Sequence, residues 1–436
     1  MQIGELYKKI ENGDYNEKLK RLYGDAKLET AKTRYLKALE SFKGIYGAKD
    51  VTIISVPGRS EILGNHTDHN HGRVLAAAIN LDIIAVAARN ENNRINIKSE
   101  GFEADSIDLS SLAPVGSEKF SSAAIIRGIA ARFKELGYET GGFDAYTTSD
   151  VLKGSGLSSS AAFEVCVGFA LKELYNCNAG KRGNENDEKI KPVDIAKIGQ
   201  WAENNYFGKP SGLMDQTACA SGGFVAIDFK NPAEPVVEKL DYNLVNSGYS
   251  LCIISTGGSH ADLNDEYASI TEEMKQISGY FGCEALRDVK RVQFNDSIKE
   301  LREKFGDRAV LRAVHFFGEN ARVKRGTEAL KEGTFNIFLQ SVTASGNSSF
   351  KYLQNMYAIK SPKEQGIPLA IALAKEALEG KQAAVRVHGG GFAGTIQAFV
   401  PKRDVTEFFG KLAPVFGGGA CLELFVRNDG ALTVCE

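Results

Sequence analysis

Three polar, glycine-bearing segments lie far apart in this chain: Pro57 to Asp68 (PGRSEILGNHTD), Gly154 to Ala162 (GSGLSSSAA) and Gly389 to Gly394 (GGGFAG). The first places a cation (Arg59), an amide (Asn65), an imidazole (His66) and a carboxylate (Asp68) directly after a β-branched run. Such a set suits a polyhydroxylated ligand, because each sugar hydroxyl both donates and accepts. A polar surface turn would use the same residues. In the second, Gly154, Ser155, Gly156, Leu157, Ser158, Ser159 and Ser160 run straight into helical spacing. A loop that opens a helix offers free N–H groups and the positive end of the helix dipole, a site for nucleotide phosphates. One serine hydroxyl could also ligate Mg²⁺, which prefers oxygen. A serine N-cap after a flexible turn explains the same letters. The third segment formally fits GxGxxG, but the residues after it alternate like a strand and do not open a helix. A glycine hairpin that lets backbone approach a ligand is the better reading. No GxxxxGK[ST] or GxSxG occurs, and His66, His69 and His71 lack a fourth ligand for zinc.

These segments need elements to hold them. Residues 5–48 are rich in Lys, Glu, Leu and Ala; Leu36, Leu39, Phe42 and Ile45 approximate one helix face, and Gly47 ends it. Val51–Val56 is expected as a buried strand, with further strands at Ile83–Ala88, Ile95–Ser99, Leu251–Ser255 and Ala384–Val387. From Ser158 the period changes, and Phe163, Val167, Ala170 and Leu174 predict a helix with one face inward. Gly208–Gly212 is a break, Gly180–Glu188 a surface loop, and residues 260–303 and 310–334 are expected to be mainly helical. Strands and helices mix without regular βαβ alternation, which favours an α+β fold.

Composition sets bounds. The 436 residues suffice for two domains, and 43% hydrophobic with 25% charged residues is globular usage. A net charge of −2 gives no footprint for nucleic acid or anionic lipid. Seven cysteines without a CxxC pair read as free thiols, and no apolar run reaches the length of a membrane span. The expectation is a cytoplasmic protein with small-molecule partners, without nucleic acid or membrane, monomeric or weakly homo-oligomeric.

Taken in order, the motifs resemble those of the GHMP small-molecule kinases. Gly58-Arg59 and Gly64 to Asp68 resemble the galactokinase signature, Gly154–Ala162 the nucleotide loop, and Arg386–Gly394 the third motif. Ala202-Glu203-Asn204 with Gly212 to Gln216 is similar to the segment that carries the catalytic aspartate, and His260–Tyr267 to one with a sugar-contacting tyrosine. The resemblance implies a two-domain GHMP architecture: a helical extension (1–28), an N-terminal ribosomal-protein-S5-like α/β domain (29–235) and a C-terminal α+β domain (236–436), with the site in the cleft between them. It implies an ATP-dependent sugar-1-kinase that makes galactose 1-phosphate. Asp215 would meet the C1 hydroxyl, kept ionised by Arg59. Ser160 and Glu203 would hold Mg²⁺. Asn65, His66, Thr67, Asp68 and Tyr267 would bind the sugar, and Ser99 with the loop 154–160 the nucleotide.

The chain also departs from the pattern. Asn65 stands where Glu is usual, Glu61 where Asn is usual, His69 where Tyr is usual, and His388 and Ala393 where Thr and Gly are usual. An uncharged Asn65 would tolerate a C6 carboxylate, so galacturonic acid is an alternative substrate. A non-catalytic sensor of sugar and ATP is a further alternative, although the serine loop, Arg59 and Asp215 are all present.

Overall fold

The computed structural model describes residues 1–151, 156–177, 189–209, 211–258 and 263–435. Three helices come first: α1 (Ile3–Asn12), α2 (Asn16–Tyr23) and α3 (Leu28–Tyr46). Gly47 closes α3 at a φ of 80°. Leu39 and Phe42 are buried as expected, but Ile45 is 49% exposed. A strict three-residue spacing drifts around a helix of 3.6 residues per turn, so Ile45 lands on the far side.

The first sheet is built from β1 (Thr52–Leu63), β2 (Arg73–Arg89), β3 (Arg94–Ser99), β4 (Ala104–Asp108) and, after α4 (Ser122–Glu135), β5 (Phe143–Ser149). Helices α5 (Ser159–Leu171), α6 (Pro192–Ala202) and α7 (Met214–Ser221) follow, then β6 (Phe224–Asp228) and β7 (Val236–Leu240). The second part runs β8 (Tyr249–Ser255), α8 (Asn264–Tyr280), α9 (Arg291–Asp296), α10 (Ile298–Lys331), α11 (Phe335–Ser348), α12 (Gly366–Ala377), β9 (Ala384–His388), β10 (Thr395–Pro401), α13 (Val405–Phe416), β11 (Cys421–Leu424) and β12 (Leu432–Cys435). The first sheet has the order β12-β1-β2-β5-β3-β4, with β6 and β7 branching from β2; the second has the order β11-β8-β10-β9. The division expected at 235/236 therefore needs correcting at two places: β7 and the last strand, β12, both belong to the first sheet.

Strand β2 is far longer than Ile83–Ala88. Its Ala76-Ala77-Ala78 segment favours helix by propensity, but pairing with β1 (Glu61↔Ala76, Ser60↔Ala77, Arg59↔Ala78) holds it extended. Alternate side chains of β2 serve different cores. Ile83, Ala85 and Ala87 join the core under α4–α7, whereas Ile84, Val86 and Ala88 join one with Leu6, Ile10, Leu19 and Leu22 of α1 and α2. The N-terminal helices thus form a layer of this domain.

Helix α5 is buried on nearly every side, not on one face, because α4, α6, α7 and the sheet surround it. Hence its apolar residues do not keep to the stripe Phe163, Val167, Ala170. The surface loop expected at Gly180–Glu188 lies outside the described residues. Among those described, no helix is long and apolar enough to cross a membrane, and the cysteines form no disulfide bond.

Candidate active site

Strands β1 and β2 form a hairpin, and the first polar segment runs from the second half of β1 into its tip. Gly64 makes the turn at a φ of 104°; a Cβ there would stand 2.6 Å from the carbonyl oxygen of Arg73. From within β1, Arg59 reaches the first turn of α7. Its Nε donates to Asp215 Oδ1 at 2.7 Å and its Nη2 to Oδ2 at 2.6 Å. Its Nη1 donates to the carbonyl oxygen of Gly156, and its backbone N–H to that of Leu157. Ser158 caps α5 in the left-handed region (φ 58°) and donates its hydroxyl to Asp215 Oδ2. The signature strand, the serine loop and the aspartate segment therefore converge on one carboxylate. Arg59 is 9% exposed and Asp215 30%. Burial opposes the Arg59 charge, the charge and hydrogen bonds of Asp215 outweigh it, and the guanidinium pKa is raised.

The remaining loop residues divide. Ser159 is half-buried and Ser160 exposed, both in the first turn of α5, while Leu157 is fully buried and takes part through its carbonyl. Gly154 and Ser155 lie outside the described residues. Ser99 is not brought to this cluster: its strand stands three places from β1, on the order of 14 Å by strand spacing, and its hydroxyl accepts from Thr147 at 2.8 Å.

The expected sugar ligands also divide. Asp68 is partly exposed, and a Cβ on Gly212 would collide with its Oδ2, so glycine at 212 lets the carboxylate sit against the aspartate segment. Burial pushes the Asp68 carboxyl up, His69 and His66 outweigh it, and its pKa is lowered. Asn65 and Thr67 depart from the expectation, because both are fully buried and their side chains are spent on protein groups. Asn65 is 0% exposed; its Nδ2 donates to Glu61 Oε1 (3.0 Å) and to the carbonyl of Gly389 (2.7 Å), and its Oδ1 accepts from Asn355 and Ser349. Thr67 Oγ1 is shared between the carbonyls of Gly64 and Arg73. His66 Nε2 lies 2.8 Å from the carbonyl of Gly390, and Tyr267 donates to that of Gly391 at 3.0 Å, the two rings stacked. Burial first, then His69, lowers the His66 pKa to about 4, so the ring is neutral and donates from Nε2.

Three sets of supporting contacts were not legible. Glu319 on α10 accepts from the Gly64 N–H, and His315 Nε2 donates to the carbonyl of Asn65. Burial pushes the Glu319 carboxyl up, but Arg322 and His315 outweigh it and hold it at about 2. Arg386, fully buried, donates to Glu61 Oε1 and to the carbonyl of Ile62. Gln216 donates from one amide nitrogen to Glu164 Oε2 (2.8 Å) and Glu203 Oε2 (3.1 Å), while Lys209 meets Glu203 Oε1 at 3.2 Å. Most of these atoms grip backbone groups or each other, and no motif spacing encodes such contacts.

Comparison with known proteins agrees with this geometry. Residues 40–89 match the galactokinase galactose-binding signature, and residues 124–223 the GHMP kinases N-terminal domain. The chain is 31% identical to the galactokinase of Streptomyces coelicolor over 84% of its length and 89% of that protein. It is 32% identical to that of Actinobacillus pleuropneumoniae serotype 5b, over 84% of this chain and 90% of that one. In fold it is similar to the Lactococcus lactis galactokinase crystallised with galactose (TM-score 0.75, 24% identity, covering 92% of this chain and 100% of that one) and to mevalonate kinase (TM-score 0.57, 15% identity, 86% and 99%). With its signature hairpin, its serine-capped helix and Asp215 converging as they do, this chain belongs to the galactokinase family of GHMP kinases.

Proposed function

We propose that the protein transfers the γ-phosphoryl group of ATP to the anomeric hydroxyl of galactose, yielding galactose 1-phosphate and ADP. The observation that carries this reading is the two-pronged Arg59–Asp215 pair beside the N-terminus of α5. Asp215 Oδ2 takes two donors and Oδ1 one, so Oδ1 keeps a lone pair for the C1 hydroxyl. Asp215 orients that hydroxyl toward the phosphoryl group and takes its proton late, since phosphoryl transfer rests mainly on positioning and electrostatics. Arg59 fixes the carboxylate and carries positive charge to the same place. The α5 N-terminus, with Ser158, Ser159 and Ser160, is aimed at phosphate oxygens. Gly154 and Ser155 are assigned to the same nucleotide by their place in the sequence motif.

Ser160 and Glu203 are hard oxygen donors of the kind Mg²⁺ takes alongside nucleotide phosphates. The exposed hydroxyl, and a carboxylate whose outer oxygen already faces an ammonium, fit such an ion. When bound, Mg²⁺ offsets the charge of the phosphates. Asp68 accepts from ring hydroxyls of the sugar, and His66 and Tyr267 shape the same wall. With Asn65 consumed inside the protein, nothing at that position favours a C6 carboxylate, so galactose is the substrate proposed over galacturonate.

The test pairs a substrate panel with one variant. Galactose should give Mg²⁺-dependent ADP release, and galacturonate, glucose and N-acetylgalactosamine far less. Asp215→Asn should lower kcat by about 10²–10⁴-fold while circular dichroism and galactose binding persist. A variant that retains turnover within about tenfold would remove Asp215 from the chemistry.

A further inference from the structure

The Arg59–Asp215 pair accounts for one residue of α7, and a second buried polar cluster begins at the next. Gln216 follows Asp215 directly and is 1% exposed. Its amide nitrogen spends both hydrogens on carboxylates of two other helical segments: Glu164 of α5 and Glu203 at the end of α6. Glu164 is 1% and Glu203 4% exposed. Among the described residues, Glu164 Oε1 and Gln216 Oε1 are buried with no hydrogen-bond partner. A core has no use for two adjacent carboxylates and an amide left partly unsatisfied, and buried charge of one sign is costly. The chain nevertheless makes room for them: at Gly199, one turn before Glu203, a Cβ would stand 3.1 Å from the Glu164 Cβ and 3.2 Å from its Oε2.

The geometry has a direction. Glu203 Oε2 is held inward by Gln216, which leaves Oε1 turned outward, where the 60%-exposed Lys209 ammonium now meets it. A cation thus already stands at that oxygen, on a side chain that reaches it from solvent. Glu164 lies one turn after Ser160, and i,i+4 residues share a helix face, so α5 points its exposed hydroxyl and its buried carboxyl to the same side. We propose that Glu164 and Gln216 are positioning residues: together they fix the outward aim of Glu203 Oε1, and so set the affinity of the site for the Mg²⁺ that accompanies the nucleotide. The proposal rests on the reading of Glu203 as a Mg²⁺ ligand. It also links the two halves of the chemistry, because the residue that follows Asp215 is the one that aims the metal carboxylate.

The experiment is calorimetric titration of ADP into the full-length protein, once with magnesium chloride and once with EDTA. The readout is the gain in ADP affinity that Mg²⁺ confers. Outer-shell partners of metal ligands typically govern affinity by about 10–100-fold. Glu164→Ala should therefore remove about that much of the gain and leave metal-free ADP binding unchanged. Glu164→Gln, which keeps an acceptor oxygen for Gln216, should restore most of it. Gln216→Leu should reproduce the loss from the other side, and replaces Glu164→Ala if that variant does not fold. A full gain in both Glu164→Ala and Gln216→Leu, with the gain abolished in Glu203→Ala, overturns the positioning role alone. A full gain in Glu203→Ala overturns the metal-ligand reading beneath it, and the proposal with it.

Discussion

At Asp215, three donors from two distant segments meet one carboxylate, and a guanidinium supplies two of them. A lysine could not span both oxygens and also reach the Gly156 carbonyl. Arg59→Lys is expected to cut kcat/KM for galactose at least 100-fold, with thermal stability lowered as well, since Asp215 would lose the partner that fixes it. Steady-state kinetics alongside a melting curve checks both. The direct participants were readable because each carries a charge inside a short motif. Position 65 shows where such reading stops: an amide in a polar loop looks like a ligand, yet Glu61, Asn355, Ser349 and the Gly389 carbonyl use it entirely. Its partners come from 4 to 324 positions away, and nothing in the loop's own letters announces them. Glu61 and Asn65 exchange the residue types usual for the family, and the structure gives the exchange a use: the carboxylate moves to where Arg386 can pair with it.

Among the elements, the glycine-rich third motif behaves as a held turn. Carbonyls of Gly389, Gly390 and Gly391 are gripped by Asn65, by His66 and Asn355, and by Tyr267. Gly391, at a φ of 81°, lies so close to Asn355 that a side chain would collide with it. Gly391→Ala should raise the KM for galactose by about tenfold or more, because strain at a left-handed glycine costs about 1–3 kcal/mol and displaces Tyr267 and His66; a kinetic titration of galactose measures it. The N-terminal helices make a different prediction. Leu22 is 0% exposed in the core they share with β1 and β2. Leu22→Ala should destabilise by about 2–5 kcal/mol in chemical denaturation with the KM for galactose unaltered. Their helical character was legible in composition, but their destination was not, since an apolar stripe says that something is covered without saying what. The full length of β2 was hidden for a related reason: its alanines state no preference for strand, and β1 supplies it.

Across the whole molecule, a polar seam joins the two sheets below the site. Ser60 of β1 meets His388 of β9 at 3.1 Å and Gln397 of β10 at 3.2 Å, and Gln397 donates to the carbonyl of Glu61. Burial first, then the charges of Arg59 and Arg386, push the His388 pKa well below the usual histidine value. His66 and His315 are lowered too, chiefly by burial. The unfolded chain therefore binds protons below about pH 6.5 that the folded protein refuses. Stability is full above that pH and falls as it drops toward the folded-state values, by about 1 kcal/mol at about pH 5.5 for each imidazole that stays neutral. The melting temperature should decline from pH 7 to pH 5.5, and His388→Gln should flatten the decline; a pH-independent melting temperature in the parent protein would contradict it. A buried ion pair makes the last link in the fold. Arg427, just before β12, donates to Ser55 and to the fully buried Asp82, and lies 372 positions after the first of these. At about 5–20 residues per second of synthesis, Ser55 waits about 20–75 s for it. Until then Asp82 lacks one of its two arginines, and β1 lacks its outer neighbour. A nascent chain of this protein therefore carries β1 as an open sheet edge until the stretch from Arg427 through β12 has left the ribosome.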